Sequence, residues 1–194
     1  MQLNHYRLLG NSGLRVSPIS LGAMTFGDGT GRNASRADSL AMLEHYATQG
    51  GNFIDTANIY NFGDSEQIVG EFIQRDRSRF VVASKYTMGM VEGQPNASGN
   101  HRKNMRESVD ASLKRLGTDY IDLYWLHMWE FRTPVAEVMR ALDDLVRAGK
   151  VLYVAVSDTP AWKIAEANTL AECRGWTPFI AMQAEYHLID RTAE

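Results

Sequence analysis

The feature that most constrains the fold of this chain is a regular alternation of short apolar segments with helical segments. Six apolar segments have the length and composition of strands, and the first five are each followed by apolar side chains at helical spacing. The predicted strands cover 19–23, 53–57, 80–85, 121–128, 151–157 and 179–184. Strict alternation of this kind predicts a parallel sheet with right-handed crossover connections.

Two closures are compatible with such a parallel sheet. One is an open, doubly wound α/β sheet, and the other is a (β/α)8 barrel of the TIM type, which usually takes about 250 residues. With 194 residues the chain is about two units short of a barrel, so a barrel would end after the sixth strand. Residues 6–16 predict a small β-hairpin ahead of the first unit, with Asn11-Ser12-Gly13 at its turn. We expect residues 1–194 to form a single domain.

Composition narrows the class of protein. A net charge of −3 argues against nucleic acid or an anionic membrane as the main partner. No apolar run reaches the roughly 18 to 20 residues of a membrane span, and the N-terminus lacks a signal-peptide pattern. Cys173 is the only cysteine, which excludes an internal disulfide and fits a reducing compartment. We therefore expect a cytoplasmic protein.

Four side chains that could take part in catalysis stand at or just beyond predicted strand ends. Asp55 and Tyr60 follow the second strand, Lys85 ends the third, and His127 lies near the end of the fourth. In a parallel barrel these ends share one face, so the four side chains are expected to converge there.

The types of these four side chains favour reduction of a carbonyl group. A free phenol is a poor acid at neutral pH, and a nearby ammonium group favours its ionised form. Asp55 would hold Lys85 in place, His127 would donate a hydrogen bond to the carbonyl oxygen, and Tyr60 would supply the proton.

Other kinds of site remain open but have less support. Each of the four residues taken alone has an ordinary structural interpretation, such as core packing or a strand-end cap. A barrel hydrolase that uses Asp55 and His127 is an alternative. No Gly-x-Gly-x-x-Gly motif supports a Rossmann cofactor site. Glu185 and His187, together with His127, are residue types that bind metals, but nothing in their spacing is specific to a metal site, so we expect no metal.

Dense motifs along the chain resemble the aldo-keto reductase family. They span nearly its full length, and they comprise Leu21-Gly22, Phe26-Gly27, residues 55–70, Ala83-Ser84-Lys85, residues 112–124, His127, Gly149-Lys150-Val151 and residues 183–186. Residues 156–162 further resemble the branch that contains aryl-alcohol dehydrogenase-like reductases.

This resemblance implies a (β/α)8 barrel that binds NAD(P)H without a Rossmann domain and reduces aldehydes or ketones. It implies that the family's catalytic tetrad falls on Asp55, Tyr60, Lys85 and His127, with Tyr60 as the general acid. It places the contacts to the nicotinamide carboxamide on Ser157, Asp158 and Gln183, and it favours NADPH over NADH.

The sequence departs from the family pattern in two places. Asp158 stands where the family often has asparagine, and a carboxylate can accept a hydrogen bond from the carboxamide but cannot donate one. The family's seventh and eighth strands would follow the point where this sequence stops. Without them, we expect exposed edges at the first and sixth strands, an exposed apolar interior, and self-association through the open edges. A non-catalytic cofactor-sensing module or an inactive fragment is therefore the alternative to an active reductase.

Overall fold

A computed structural model, which describes residues 2–27 and 31–193, shows a six-stranded parallel sheet preceded by a two-stranded hairpin. The hairpin pairs β1 with β2 in antiparallel fashion, and the sheet has the sequential order β3-β4-β5-β6-β7-β8. The strands are β1 (Arg7–Leu8), β2 (Arg15–Val16), β3 (Leu21–Gly22), β4 (Phe53–Asp55), β5 (Val81–Tyr86), β6 (Ile121–Leu126), β7 (Val151–Ser157) and β8 (Phe179–Gln183).

One helix follows each of the first five strands of the sheet, so the predicted alternation is confirmed. The helices are α1 (Arg36–Thr48), α2 (Asp64–Ile73), α3 (Arg102–Leu116), α4 (Val135–Arg147) and α5 (Ala161–Arg174). Together the strands and helices form a curled, partial (β/α)8 barrel in which β3 and β8 are the outer strands of the sheet order.

Serine and threonine are preferred helix caps, yet Ser65 near the start of α2 and Thr133 before α4 do not cap these helices. The hydroxyl of Ser65 donates to the Ala23 carbonyl, and the cap position of α2 is Gly63. The cap position of α4 is Pro134, and the hydroxyl and the amide of Thr133 both donate to Glu130 Oε1. The acceptor that competes for the hydroxyl is distant along the chain for Ser65 and three positions earlier for Thr133.

Apolar side chains are buried on both sides of the sheet. The outer cluster fills the space between the sheet and the helices, and the inner cluster lies on the concave face. The inner cluster consists of Val16, Phe53, Val81, Ala83, Leu123, Trp125 and Ala155, all less than a tenth exposed. The expectation of an exposed interior was therefore wrong. The sheet curls tightly, and the N-terminal hairpin contributes Val16, with Leu9 and Leu14 packed against it.

Two hydrogen bonds show how strongly the sheet curls. The amide of Asn11, in the hairpin turn, donates to the Ile180 carbonyl on β8 at 3.0 Å. At the other end of the barrel, the Gln183 side chain of β8 reaches Asp55 of β4 at 3.3 Å. The curl therefore brings the end of the last strand to the end of the second strand of the sheet, and this positions the site described below.

Within the ranges that the structure describes, no helix is both long enough and apolar enough to cross a lipid bilayer.

Candidate active site

The carboxyl ends of the parallel strands gather the four residues predicted to carry chemistry. Asp55 is the last residue of β4, Lys85 lies one position before the end of β5, and His127 directly follows β6. Tyr60 begins a single turn of 3-10 helix that connects β4 to α2. Because parallel strands end at the same edge, residues separated by as many as 72 positions along the chain meet there.

Lys85 is the centre of this group. Its side chain is fully buried, and its Nζ atom donates to Asp55 Oδ2 at 2.5 Å, to the Thr56 carbonyl at 3.0 Å and to Tyr60 Oη at 3.2 Å. An ammonium group has three protons, so these three acceptors account for all of them. The arrangement fixes the Lys85 side chain between a carboxylate and a phenol.

The opposite side of β5 is also held by buried polar contacts. Ser84 donates to Glu66 Oε1 at 2.5 Å, and Arg115 donates to Glu66 Oε2 at 2.6 Å. Glu66 is fully buried. Since neighbouring strand residues point to opposite faces, anchoring Ser84 on the helix side directs Lys85 toward the barrel interior.

Tyr60 and His127 lie together at the mouth of the barrel. Their rings meet edge to face, with the ring centroids 5.8 Å apart. Both side chains are half-buried, whereas Asp55 and Lys85 below them are buried. The phenol and the imidazole are therefore the members of the group that a ligand entering the mouth would meet.

His127 is electrically neutral near pH 7. Burial, and to a smaller extent the nearby positive charge of Lys85, lower the pKa of its imidazole to about 4. Its Nδ1 atom is buried and has no hydrogen-bond partner in the described structure. A neutral imidazole has one N–H donor, so His127 can hydrogen-bond a carbonyl oxygen without adding a positive charge.

The three residues predicted to contact a nicotinamide carboxamide also lie side by side. Ser157 ends β7 and is paired in register with Gln183 at the end of β8. The amide of Asp158 donates to the Gln183 carbonyl at 3.3 Å, and the Asp158 carbonyl accepts from the Trp129 amide at 3.3 Å. Asp158 has a φ of 38°, a positive value that aspartate and asparagine adopt more often than most other residues apart from glycine.

The polar side chains at this mouth fit a bound amide group. Gln183 donates to Asp55 Oδ2 at 3.3 Å, while Asp55 Oδ1 is buried with no partner among the described residues. A carboxylate, a primary amide and a serine hydroxyl thus lie near one another at the carboxyl ends of β4, β7 and β8. Such donors and acceptors are the groups that a carboxamide requires.

Two contributions to the site were missed in the sequence analysis. The Thr56 carbonyl, an acceptor for Lys85, has no side-chain signal because it belongs to the backbone. Asn61, directly after Tyr60, adopts a left-handed conformation with a φ of 47°. The pair Asn61 and Gly63 in a short loop could have indicated such a turn, since both residue types tolerate positive φ.

The residues that the structure describes contain no group of three histidine, cysteine, aspartate or glutamate side chains able to hold a metal ion. Glu185 and His187 do contact each other at 2.9 Å, but both are exposed.

Comparison with protein families matches residues 18–194 to the aldo/keto reductase family. Among curated relatives, the chain is 47% identical over 203 residues to norsolorinic acid reductase from Aspergillus flavus, an alignment that covers 99% of this chain and 52% of the relative. It is 47% identical over 195 residues to norsolorinic acid reductase A from Aspergillus parasiticus, covering 95% of this chain and 50% of the relative.

A relative with a different name matches over a similar extent. Aryl-alcohol dehydrogenase [NADP(+)] from Phanerodontia chrysosporium is 40% identical over 205 residues, covering 98% of this chain and 53% of the relative. The chain thus spans about half the length of the curated relatives it matches.

Proposed function

The chain belongs to the aldo/keto reductase family of oxidoreductases, and from its site geometry we propose that it carries the acid-base half of an NAD(P)H-dependent carbonyl reductase. The observation that carries this proposal is the position of Lys85 Nζ, which bonds both Asp55 and the phenol of Tyr60 in a buried site. The proposed reaction converts an aldehyde or ketone to the corresponding alcohol.

In the proposed mechanism, Tyr60 is the general acid. As a hydride reaches the carbonyl carbon, the phenol transfers its proton to the carbonyl oxygen, so the product is a neutral alcohol and the enzyme is left with a phenolate. The ammonium of Lys85, 3.2 Å from Tyr60 Oη, stabilises this phenolate by a charge-assisted hydrogen bond. Asp55 holds Lys85 in place and balances its charge.

His127 has a separate role in this proposal. Its neutral imidazole lies beside the Tyr60 phenol and has one N–H, which in this proposal hydrogen-bonds the substrate carbonyl oxygen and orients it toward the phenol. Because a neutral donor is a weaker acid than an imidazolium, His127 positions the oxygen and leaves the proton transfer to Tyr60.

We propose that Ser157, Asp158 and Gln183 hold the carboxamide of a nicotinamide cofactor. The bound cofactor would supply the hydride. Gln183 can offer both an amide donor and a carbonyl acceptor, and Ser157 can donate where Asp158 can only accept. We propose NADPH over NADH, supported by the relative whose name specifies NADP(+).

The names of the relatives support a small-molecule substrate with a carbonyl group, or the alcohol formed from it. Two are named as reductases of norsolorinic acid and one as a dehydrogenase of aryl alcohols. We place the activity in the cytoplasm because the single cysteine, Cys173, is free and exposed. Outer strands β3 and β8 are the surfaces through which we expect self-association.

The test combines cofactor binding with turnover on the same sample. NADPH is titrated against the purified chain by fluorescence, and reduction of 4-nitrobenzaldehyde is followed in parallel. The proposal predicts that Tyr60→Phe binds NADPH as the unsubstituted chain does but no longer reduces the aldehyde. The substitution removes the proton donor and changes the side-chain volume very little. Equal turnover by the two proteins would remove Tyr60 from the mechanism. NADPH binding with no turnover by the unsubstituted chain would instead favour a cofactor-sensing role.

A further inference from the structure

The turn that follows Tyr60 has an unusual backbone. Asn61 and Phe62 have φ values of 47° and 52°, and Gly63 has a φ of 99°. Three successive residues therefore lie at positive φ, of which only the glycine does so without steric cost. A strained turn persists only when the surrounding structure holds it, and this one directly follows the proposed general acid.

The side chain of Asn61 provides the contacts that hold the turn. Its Nδ2 atom donates to the Phe26 carbonyl at 2.6 Å and to the Met24 carbonyl at 3.5 Å, and its Oδ1 atom accepts from Asn33 Nδ2 at 2.7 Å. All three partners belong to the loop between β3 and α1, 28 to 37 positions away along the chain. Asn61 is the point at which this loop and the Tyr60 turn are joined.

The segment that accepts the Asn61 side chain is itself fixed to the catalytic strand. Phe26 is buried, and its amide donates to the Ala23 carbonyl at 3.1 Å. The Ala23 amide in turn donates to the carbonyl of Asp55 at 2.8 Å. A continuous series of hydrogen bonds thus runs from Asp55 through Ala23 and Phe26 to Asn61, the neighbour of Tyr60.

The far end of the turn is packed against α3. The side chain of Arg115 lies so close to Gly63 that a Cβ atom added there would be 2.6 Å from Arg115 Cδ. Arg115 is held in that position by its ion pair with the buried Glu66. The turn is therefore fixed at Asn61 by hydrogen bonds and at Gly63 by close packing.

From these contacts we infer that Asn61 is a positioning residue, which holds the phenol of Tyr60 at hydrogen-bonding distance from Lys85. This inference rests on the proposed function. Asn61 itself contacts neither substrate nor cofactor in this inference. Its effect on Tyr60 is transmitted through the backbone of the turn. Misplacing a catalytic group by about 1 Å can cost about a hundredfold in rate, so loosening the turn should lower kcat.

The chain offers a matched control for this residue. Asn52 directly precedes β4 and also makes two side-chain hydrogen bonds to main-chain atoms, accepting from the Ser17 amide at 2.7 Å and donating to the Arg15 carbonyl at 3.0 Å. It lies at the amino end of the strand whose carboxyl end holds Asp55. Asn52→Ala should therefore affect stability as Asn61→Ala does, without displacing Tyr60.

The experiment compares Asn61→Ala, Asn61→Gly and Asn52→Ala. Glycine accepts a φ of 47° but lacks the side-chain hydrogen bonds of Asn61, so Asn61→Gly separates the effect of these contacts from that of the backbone strain. We expect kcat to fall about tenfold or more in both Asn61 variants, with NADPH affinity unchanged, and to stay unchanged in Asn52→Ala. Normal kcat in Asn61→Gly would overturn the inference, since the hydrogen bonds would then be dispensable.

A second readout does not depend on activity. The chain has 8 tyrosines, so 19F NMR of protein labelled with 3-fluorotyrosine gives a small set of resonances, and Tyr60→Phe identifies the one from Tyr60. We expect that resonance to move in Asn61→Gly and to stay in place in Asn52→Ala. An unmoved resonance in Asn61→Gly, or equal movement in both variants, would contradict the inference. This result stands even if the chain shows no reductase activity.

Discussion

Replacing Lys85 by methionine should destabilise the fold far more than removing an ordinary ion pair. Lys85 is fully buried, and its partner Asp55 is 6% exposed. Without the ammonium group, Asp55 Oδ2 loses its bond at 2.5 Å and keeps only Gln183 at 3.3 Å, while Oδ1 has no partner in the described structure. Removing one member of a buried pair costs about 3–5 kcal/mol, because the other charge is left uncompensated.

The same reasoning predicts that a second substitution restores most of this loss. In Lys85→Met/Asp55→Leu neither member of this pair carries a charge, and replacing a buried ion pair by apolar side chains is often nearly neutral. We therefore expect the double variant to unfold within about 1 kcal/mol of the unsubstituted chain, although neither variant should reduce a carbonyl.

Urea unfolding followed by tryptophan fluorescence measures these differences. The control is Lys103→Met, which removes an exposed ion pair with Glu107 on α3 and should cost less than about 0.5 kcal/mol. If the double variant were as unstable as Lys85→Met, the cost would come from the lost hydrogen bonds of Lys85 or from changed packing. The argument from an uncompensated charge would then be refuted.

Two further predictions concern the hairpin and the pH dependence. In Gly10→Ala the new Cβ atom would lie 1.8 Å from the Ile180 carbonyl oxygen at a φ of 50°, so unfolding should be easier by about 2 kcal/mol or more. Gly13→Ala is the control, because a Cβ atom added there would meet nothing within 4 Å. An equal loss of unfolding free energy in both variants would show that the clash with Ile180 is not the cause. For His127, the unfolded imidazole takes up a proton near pH 6.5, whereas the folded one does so only near its pKa of about 4. The unfolded state binds more protons in this window, so stability falls as pH is lowered from about 6.5 to about 4. His127→Gln should show a smaller fall in urea unfolding at each pH, and an identical fall would show that His127 does not cause it.

The parts of this protein that follow from periodicity were predictable from sequence. Strand and helix alternation sets the order of the sheet, and a parallel sheet brings strand ends to one edge. Asp55, Lys85 and His127 could therefore be assigned to one site from their positions alone. Sheet order and the position of strand ends depend on the direction of the chain and on the period of its apolar side chains, and both can be read from a single sequence.

The parts that depend on tertiary contacts were not predictable. Ser65 resembles a helix cap, but the buried Ala23 carbonyl offers its hydroxyl a better partner. The interior of the partial barrel is buried because the N-terminal hairpin packs into it, and no local pattern indicates where a hairpin docks. The contacts of Asn61 join residues 28 to 37 positions apart, and those from its Nδ2 atom are to backbone carbonyls, groups that every residue possesses.

We propose that hydride transfer to a carbonyl carbon at this site uses Tyr60 as the proton donor. Mass spectrometry can follow deuterium from NADPH labelled at both C4 positions into the alcohol formed from 4-nitrobenzaldehyde, for the unsubstituted chain and for Tyr60→Phe. We expect one deuterium on the benzylic carbon with the unsubstituted chain and no product with Tyr60→Phe. The proposal fails if both proteins form labelled alcohol equally, or if a folded chain that binds NADPH forms none.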